Sequence, residues 1–330
     1  MTRSAPRYHP RHSRRARFAA PVAAILCCLT LPGASLAGAL VVHDARGRDV
    51  AIENPSRTVS IGGAITEILY DLGLEKRIVG VDTTSTFPAA ALGDKPGVGY
   101  LRQLSPEGVV GLNPTLILAM QGAGPPETMA ILDAAKIPLV LVPETFSEQG
   151  LLDKIDLVGR AMGADAGAAC LGAAVTSDLA QLRELRAKVT KPVRVMFVMS
   201  LVNGRAMVAG RHTAADEIIR MSGAVNAIDG YDGYKMINDE AIVAAKPDWV
   251  LSIERGKESL AAEAIYQHPA FAMTKVASDK TFVAMDGLYL LGFGPRTAAA
   301  ARDVAIRLYP QLATEADRFK SAVLAANCRQ

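Results

Sequence analysis

The chain has 330 residues, of which half are hydrophobic and 21% are charged, and its formal net charge is +3. A chain of this length and apolar content folds into about two globular domains, which excludes an intrinsically disordered protein. Its slight basicity favours a nucleic-acid or membrane-surface partner only if the positive charge belongs to the folded part.

The first 37 residues have the order of an export signal. They contain six arginines and no acidic residue, with an apolar run at 18–31 and small residues at 35–39. This order predicts a signal peptide over residues 1–37 that is cleaved off. A membrane anchor is the alternative, but the apolar run is shorter than the roughly 20 residues of a spanning helix. Cleavage leaves 30 basic and 33 acidic residues, a net charge of −3, so we expect no nucleic-acid partner.

Beyond the signal, short β-branched runs alternate with helical periodicity, which predicts an α/β fold. Two runs at 41–43 and 50–52 predict an opening hairpin. Buried strands are predicted at 59–61, 78–81, 116–119, 139–142, 193–199, 249–253 and 281–284.

A helix-favouring segment without proline divides the mature chain at residues 165–190. It is long enough to act as a stiff connector between two halves, or it packs wholly on one lobe. The first reading predicts an N-terminal α/β lobe at 38–164, the connecting helix at 165–190 and a C-terminal α/β lobe at 191–330.

An internal repeat relates the two halves. Residues 105–118 read SPEGVVGLNPTLIL and residues 238–251 read NDEAIVAAKPDWVL. Each copy predicts a capping residue, a short helix, a proline turn and a buried strand. The repeat places Glu107 and Glu240 in equivalent first turns, where the helix dipole alone favours an acid. The alternative is a matched pair of docking points for a basic partner.

Two cysteines remain after the signal, Cys170 and Cys328. A single long-range disulfide and two unpaired thiols are both compatible with an exported protein. The chain has no phosphate-binding loop of the G-x-x-x-x-G-K-[ST] type and no G-x-S-x-G elbow. These features favour an exported binding protein over an exported enzyme.

Two segments carry a family resemblance, GVGYLRQLSPEGVVGLNPTLILAM at 97–120 and LLGFGPRTAAAA at 290–301. They resemble the periplasmic haem-binding proteins of bacterial ABC haem importers, and the likeness covers nearly the whole mature chain. The resemblance implies two α/β lobes joined by a long helix, with the ligand in the cleft between them. It also implies a monomeric periplasmic carrier that takes haem b as its cargo and docks on the ABC transporter permease of the inner membrane. A ferric siderophore or cobalamin is the alternative ligand, and an exported haem-dependent enzyme is the alternative activity.

The resemblance also assigns the ligand-binding residues. The tyrosine of the G-Y-x-R segment, Tyr100, matches the axial ligand of the haem iron, and a phenolate oxygen suits ferric iron. Arg102 can stabilise that phenolate or meet a haem propionate. Three residues in or beside the C-terminal block can line the cleft or contact propionates: Tyr289, Phe293 and Arg296. The alternative is core packing for the two aromatic side chains and a surface role for Arg296.

Two further residue assignments follow from the resemblance. Some relatives carry a second iron ligand, a histidine, in the loop after the first strand of the C-terminal lobe. That loop reads Ser200–Gly204 here and has no histidine, so we expect no second ligand from it. Glu107 and Glu240 match the acids by which this group docks on arginines of the permease.

Overall fold

The computed structural model describes residues 1–2, 4–9, 39–254, 256 and 259–329. Most of the expected signal peptide, including its cleavage site, lies outside the described residues. Within the described ranges, no helix combines the length and the apolar character needed to cross a membrane.

From residue 39 onward, the structure begins with an antiparallel hairpin of β1 (Leu40–His43) and β2 (Asp49–Ile52), in which Leu40 lies opposite Ile52. This confirms the predicted opening hairpin. The turn between the strands contains Gly47, whose φ of 73° favours glycine.

The first lobe contains a four-stranded parallel sheet in the order β4-β3-β7-β8. Its strands are buried hydrophobic runs, as expected for a parallel sheet covered on both faces. The elements of this lobe are β3 (Thr58–Ile61), α1 (Gly63–Asp71), β4 (Ile78–Val81), α2 (Ala90–Asp94), β5 (Gly99–Tyr100), β6 (Gln103–Leu104), α3 (Pro106–Val110), β7 (Leu116–Met120), α4 (Pro126–Ala134), β8 (Leu139–Val142) and α5 (Glu148–Ala161), with a short 3-10 turn at Glu75–Arg77.

The helix α6 (Asp165–Arg186) follows the first lobe, and a mixed six-stranded sheet forms the second. The strand order in this sheet is β12-β10-β9-β13-β14, and β11 pairs with β9. The pairs β9–β11, β9–β13 and β13–β14 are parallel. The pairs β9–β10 and β10–β12 are antiparallel. The strands are β9 (Arg194–Val202), β10 (Arg205–Ala209), β11 (Val225–Asn226), β12 (Tyr234–Ile237), β13 (Trp249–Glu254) and β14 (Phe282–Asp286). The helices are α7 (Ala214–Met221), α8 (Asp239–Ala245), α9 (Ala262–Tyr266), α10 (Pro269–Ala272), α11 (Lys275–Ser278), α12 (Gly287–Leu291), α13 (Thr297–Leu308), α14 (Ala313–Ala316) and α15 (Ala322–Ala325), with a 3-10 turn at Pro310–Leu312.

The long helix α6 joins the two lobes. It packs against α5 on the side of the first lobe and against α7 and α13 on the side of the second. Its 22 residues rise about 33 Å, so one rigid element spans both halves. This confirms the predicted α/β fold with two lobes and a long connecting helix, which ends at Arg186.

The repeat seen in the sequence has the same local structure in both lobes. The side chain of Ser105 accepts a hydrogen bond from the Gly108 amide (3.0 Å), and the side chain of Asn238 accepts one from the Ala241 amide (3.0 Å). After each helix the residue before the proline has a left-handed φ, 48° at Asn113 and 46° at Lys246. Each unit then enters a buried parallel strand, β7 or β13.

The C-terminal segment is held on α6 by a disulfide and by a buried carboxylate. Cys170 and Cys328 are bonded, with their Cα atoms 5.5 Å apart. Asp178, buried on the same helix, accepts hydrogen bonds from Ser321 Oγ (2.7 Å) and from the Ala322 amide (2.6 Å). Of the two alternatives that the sequence leaves open for the cysteines, the structure has the disulfide.

Candidate ligand-binding cleft

A cavity of about 620 Å³ lies between the two lobes. Its volume falls in the range of small-molecule and cofactor sites. The first lobe supplies Gly62, Gly63, Ala64, Thr83, Thr84, Thr86, Tyr100, Leu101, Met120 and Glu144. The second lobe supplies Ile253, Glu254, Asp286, Gly287, Leu288, Leu291 and Gly292.

Most of these residues stand at or just after the carboxyl ends of parallel strands. Gly62 follows β3, Met120 ends β7 and Glu144 follows β8, whereas Glu254 and Asp286 end β13 and β14. In open α/β sheets, ligands bind in the crevice outside these strand ends. The cavity is therefore where the topology of both sheets predicts a ligand.

Tyr100 reaches this cavity from a tight hairpin. It ends β5 and pairs with Gln103 of β6, so Leu101 and Arg102 form the two-residue turn. Gly99 before it has a φ of 99°, and a Cβ there would lie 2.9 Å from the Gln103 carbonyl oxygen, so this position requires glycine. Tyr100 is 44% exposed and lines the cavity.

A buried carboxylate supports this hairpin and the cavity floor. Asp82 accepts hydrogen bonds from the Gly62 amide (2.8 Å), the Thr84 amide (2.9 Å) and Ser85 Oγ (3.2 Å). The amide of Thr83, in the same loop, donates to the Gly99 carbonyl (2.9 Å). The loop that Asp82 orders therefore positions the strand that carries Tyr100.

Arg102 is exposed on the turn after Tyr100 and does not belong to the cavity wall. Its charge acts on Glu144, which does line the wall. Burial raises the pKa of the Glu144 carboxyl above its usual range, and the charges of Lys154 and Arg102 oppose that rise. The Glu144 carboxyl therefore holds its proton to a higher pH than a solvent-exposed glutamate does.

The three C-terminal residues predicted to line the cleft lie beside the cavity rather than in its wall. Tyr289 Oη donates to Asp303 Oδ2 (2.9 Å), and burial, followed by the charge of Asp303, raises the pKa of this phenol. The Arg296 guanidinium donates to both carboxylate oxygens of Glu67, at 2.8 and 3.0 Å. Phe293 is 1% exposed and packs in the core. Of the two alternatives given for this side chain, lining the cleft and core packing, the structure has core packing. Tyr289 and Arg296 line a smaller pocket next to the main cavity.

The family model described as "Periplasmic binding protein" matches residues 59–287, more than two thirds of the chain. The chain belongs to the periplasmic binding protein family. Proteins of this family are substrate-binding proteins of transport systems rather than enzymes, and membership implies an extracytoplasmic location.

Two solved structures are similar to this periplasmic binding protein over most of its length. The periplasmic haem-binding protein RhuT from Roseiflexus sp. RS-1, in apo form, is 37% identical with a TM-score of 0.74, over 78% of this chain and 99% of that one. The periplasmic haem-binding protein BhuT, in complex with two haems, is 38% identical with a TM-score of 0.73, over the same shares. A curated relative, the uncharacterised ABC transporter substrate-binding lipoprotein YvrC of Bacillus subtilis (strain 168), is 27% identical over 82% of this chain and 86% of its own.

The loop after β9 is a tight hairpin turn in this periplasmic binding protein. Asn203 and Gly204 join β9 to β10, both with positive φ, and the loop presents no imidazole. His212 is exposed, with its Nε2 3.8 Å from Asp232 Oδ1, and it does not line the cavity. The described cavity wall thus contains one phenol, that of Tyr100, and no histidine.

Glu107 and Glu240 lie away from the cavity, on the surface of the two lobes. Each is exposed in the first turn of its helix, α3 or α8. The matching caps of the repeat place the two acids at the same helical position, one on each lobe. Their docking role stays a prediction.

Sequence reasoning missed several wall residues, among them Glu144, Glu254 and Asp286. All three are carboxylates one or two residues after the end of a predicted buried strand, and this position is the signal that identifies them. It also missed Lys154, a buried lysine on α5. Lys154 shares the apolar face of that helix with Leu151 and Val158, and this placement is the signal that identifies it.

Asp71 lies one turn after Glu67 on α1 and provides a test of the electrostatics beside the cleft. Burial, followed by the negative charge of Glu67, raises its pKa from 3.8 to about 7, against the opposing charges of Arg296 and Arg329. The folded state therefore holds this proton more tightly than the unfolded state. The protonated Asp71 carboxyl therefore stabilises the folded state, and the free energy of unfolding should fall as the pH rises from about 4 to about 7 and this proton is lost.

We expect Asp71→Asn to flatten that loss and to be more stable than the unsubstituted protein above pH 7. Urea denaturation of both proteins at intervals between pH 4 and pH 8 measures the difference. An equally steep fall in stability in Asp71→Asn would contradict the assignment.

Proposed function

We propose that this periplasmic binding protein carries ferric haem in the interlobe cavity, with the Tyr100 phenolate as the iron ligand. The observation that carries the proposal is the position of Tyr100. Its phenol is on the cavity wall, partly exposed, at the end of a hairpin that is hydrogen-bonded on both sides. The haem-binding neighbours at 37% and 38% identity support the same ligand class.

The chemistry of the wall suits this ligand. A phenol titrates near pH 10 in water, but coordination to ferric iron favours the phenolate. The apolar side chains of Leu101, Met120, Leu288 and Leu291 supply contact surface for a porphyrin. Glu254 and Asp286 on the second lobe disfavour nearby propionates, so we expect the haem b propionates to point out of the cavity, on the side of Arg102.

A ferric siderophore or cobalamin is the second candidate ligand, because the wider family fold accommodates either. Purified residues 38–330, titrated separately with ferric haem, a ferric siderophore and cobalamin, distinguish these ligands by absorbance. We expect a saturable change with haem alone. Saturable binding of one of the other two, with none of haem, would contradict the proposal.

We further propose that the protein is exported by its N-terminal signal, works as a monomer in the periplasm and passes its haem to an ABC transporter permease in the inner membrane. The mature chain is mildly acidic, and Glu107 and Glu240 present one carboxylate on each lobe. Two acids at equivalent positions of the two lobes suit a partner with two arginine-containing pockets.

The double variant Glu107→Ala/Glu240→Ala tests the docking. We expect its affinity for the permease complex to fall roughly 10- to 100-fold, about 1.4–2.8 kcal/mol, with haem binding unchanged. Haem transfer into vesicles that contain the permease measures the loss. Glu127→Ala is the control, because Glu127 is also an exposed acid in a first helical turn. Unimpaired transfer by the double variant would contradict the docking role.

A further inference from the structure

The segment between α12 and α13, residues 292–296, extends from the second lobe into the first. The Phe293 ring packs edge-to-face on Phe146 of the first lobe, with centroids 5.2 Å apart. A Cβ on the next residue, Gly294, would lie 3.3 Å from Glu67 Oε2 and 3.6 Å from Ala64 Cα. The backbone of the segment therefore sits directly against α1.

Two buried charges of the first lobe have their partners on this segment. The Glu67 side chain is 3% exposed and binds the Arg296 guanidinium through both carboxylate oxygens. Lys154 is 1% exposed, and its Nζ donates to the Phe293 carbonyl oxygen at 2.9 Å. Phe293 has a left-handed φ of 49°.

Separation of the lobes at this point would leave a carboxylate and an ammonium group buried without these partners. Uncompensated buried charges are among the most costly features of a protein interior. The segment at 292–296 with Glu67 and Lys154 is called the interlobe joint below. Opening of the lobes at this joint would break two charged contacts as well as the apolar packing.

The interlobe joint lies at the edge of the ligand cavity. Gly292 lines the cavity, together with Leu288 and Leu291 of the preceding helix α12. Leu288 also packs on the other wall, because a Cβ on Gly63 would lie 2.5 Å from Leu288 Cδ1. A shift of the segment would therefore move the second wall of the cavity relative to Tyr100.

We infer that Glu67 and Lys154 are positioning residues for the ligand: they fix the segment at 292–296 in the first lobe and so set the width of the cavity opposite Tyr100. The interlobe joint sets the width of the cavity without any ligand. Its effect on haem binding, in contrast, rests on the proposed function. Arg296 thereby serves the interlobe joint rather than a propionate.

The variants Lys154→Met and Glu67→Gln test the interlobe joint. Lys154→Met keeps the length of the side chain without its charge or its hydrogen bond, and Glu67→Gln keeps one acceptor oxygen. Lys188→Met, at a half-exposed lysine paired with Glu315, is the control for the lysine substitution. Spin labels at Leu92→Cys and Met273→Cys, exposed positions on the first and second lobes, report the interlobe distance by double electron–electron resonance.

In the ligand-free state we expect a broader distance distribution in both variants than in the unsubstituted protein and in Lys188→Met. With haem, we expect dissociation to be about tenfold faster, because the cavity wall opposite Tyr100 is no longer held in place, while the spectrum of the bound haem is unchanged. An unchanged distance distribution in a folded variant would overturn the inference, and Glu67→Gln decides it if Lys154→Met does not fold. If the unsubstituted protein binds no haem, the proposed function fails, whereas the distance measurement still decides the inference.

Discussion

Haem affinity is expected to fall more than about 100-fold when Tyr100 is replaced by phenylalanine. Loss of a group that hydrogen-bonds to a metal ligand typically lowers metal affinity 10- to 100-fold. Loss of the ligand itself should lower the affinity by at least the upper end of that range. The substitution keeps the ring that lines the cavity and removes only the oxygen. Absorbance titration of the mature protein with ferric haem measures the change.

Tyr289→Phe is the matched control for this experiment. It removes a phenolic oxygen next to the same cleft, but that hydroxyl donates to Asp303 and does not line the cavity wall. We expect its haem affinity to stay within about threefold of that of the unsubstituted protein, because the cavity wall is untouched. Equal affinities of Tyr100→Phe and the unsubstituted protein would contradict the ligand assignment.

Replacement of both cysteines, Cys170→Ser with Cys328→Ser, is expected to lower the free energy of unfolding by about 2–5 kcal/mol. The disulfide joins residues 158 positions apart, and closing a long loop restricts the unfolded chain strongly. Urea denaturation of the mature protein and of the double variant, followed by circular dichroism, measures the difference.

Haem binding by the folded double variant should be nearly unchanged, since both cysteines are on the α6 side of the molecule and neither lines the cavity. The unsubstituted protein denatured with a reducing agent present is the control, and it should match the double variant. A stability loss below about 1 kcal/mol would show that the hydrogen bonds of Asp178 hold the C-terminal segment without the disulfide.

Local patterns predict most of the fold. The repeat at 105–118 and 238–251 predicts two capped helices that lead into buried strands. The structure has both helices, each with a side-chain cap at its start and a residue of left-handed φ before the proline. The connecting helix and α13 follow from composition and periodicity, because helix formation depends on neighbours within a few turns.

The candidate site was harder to predict because its contacts join distant parts of the chain. Arg296 is 229 positions from Glu67, so no local pattern indicates that this arginine is held by a buried acid. The same holds for Phe293, whose packing partner Phe146 belongs to the other lobe. The resemblance identified the segment with these residues, but only the tertiary structure shows which of its side chains face the cavity.

The resonance Raman spectrum of the ferric haem complex tests the central claim most directly, because excitation into a phenolate-to-iron charge-transfer band enhances vibrations of the coordinated tyrosine. We predict iron–phenolate bands in the mature protein and in Tyr289→Phe, and their absence in Tyr100→Phe. Iron–phenolate bands that persist in Tyr100→Phe, or that are absent from the unsubstituted complex, would contradict the account.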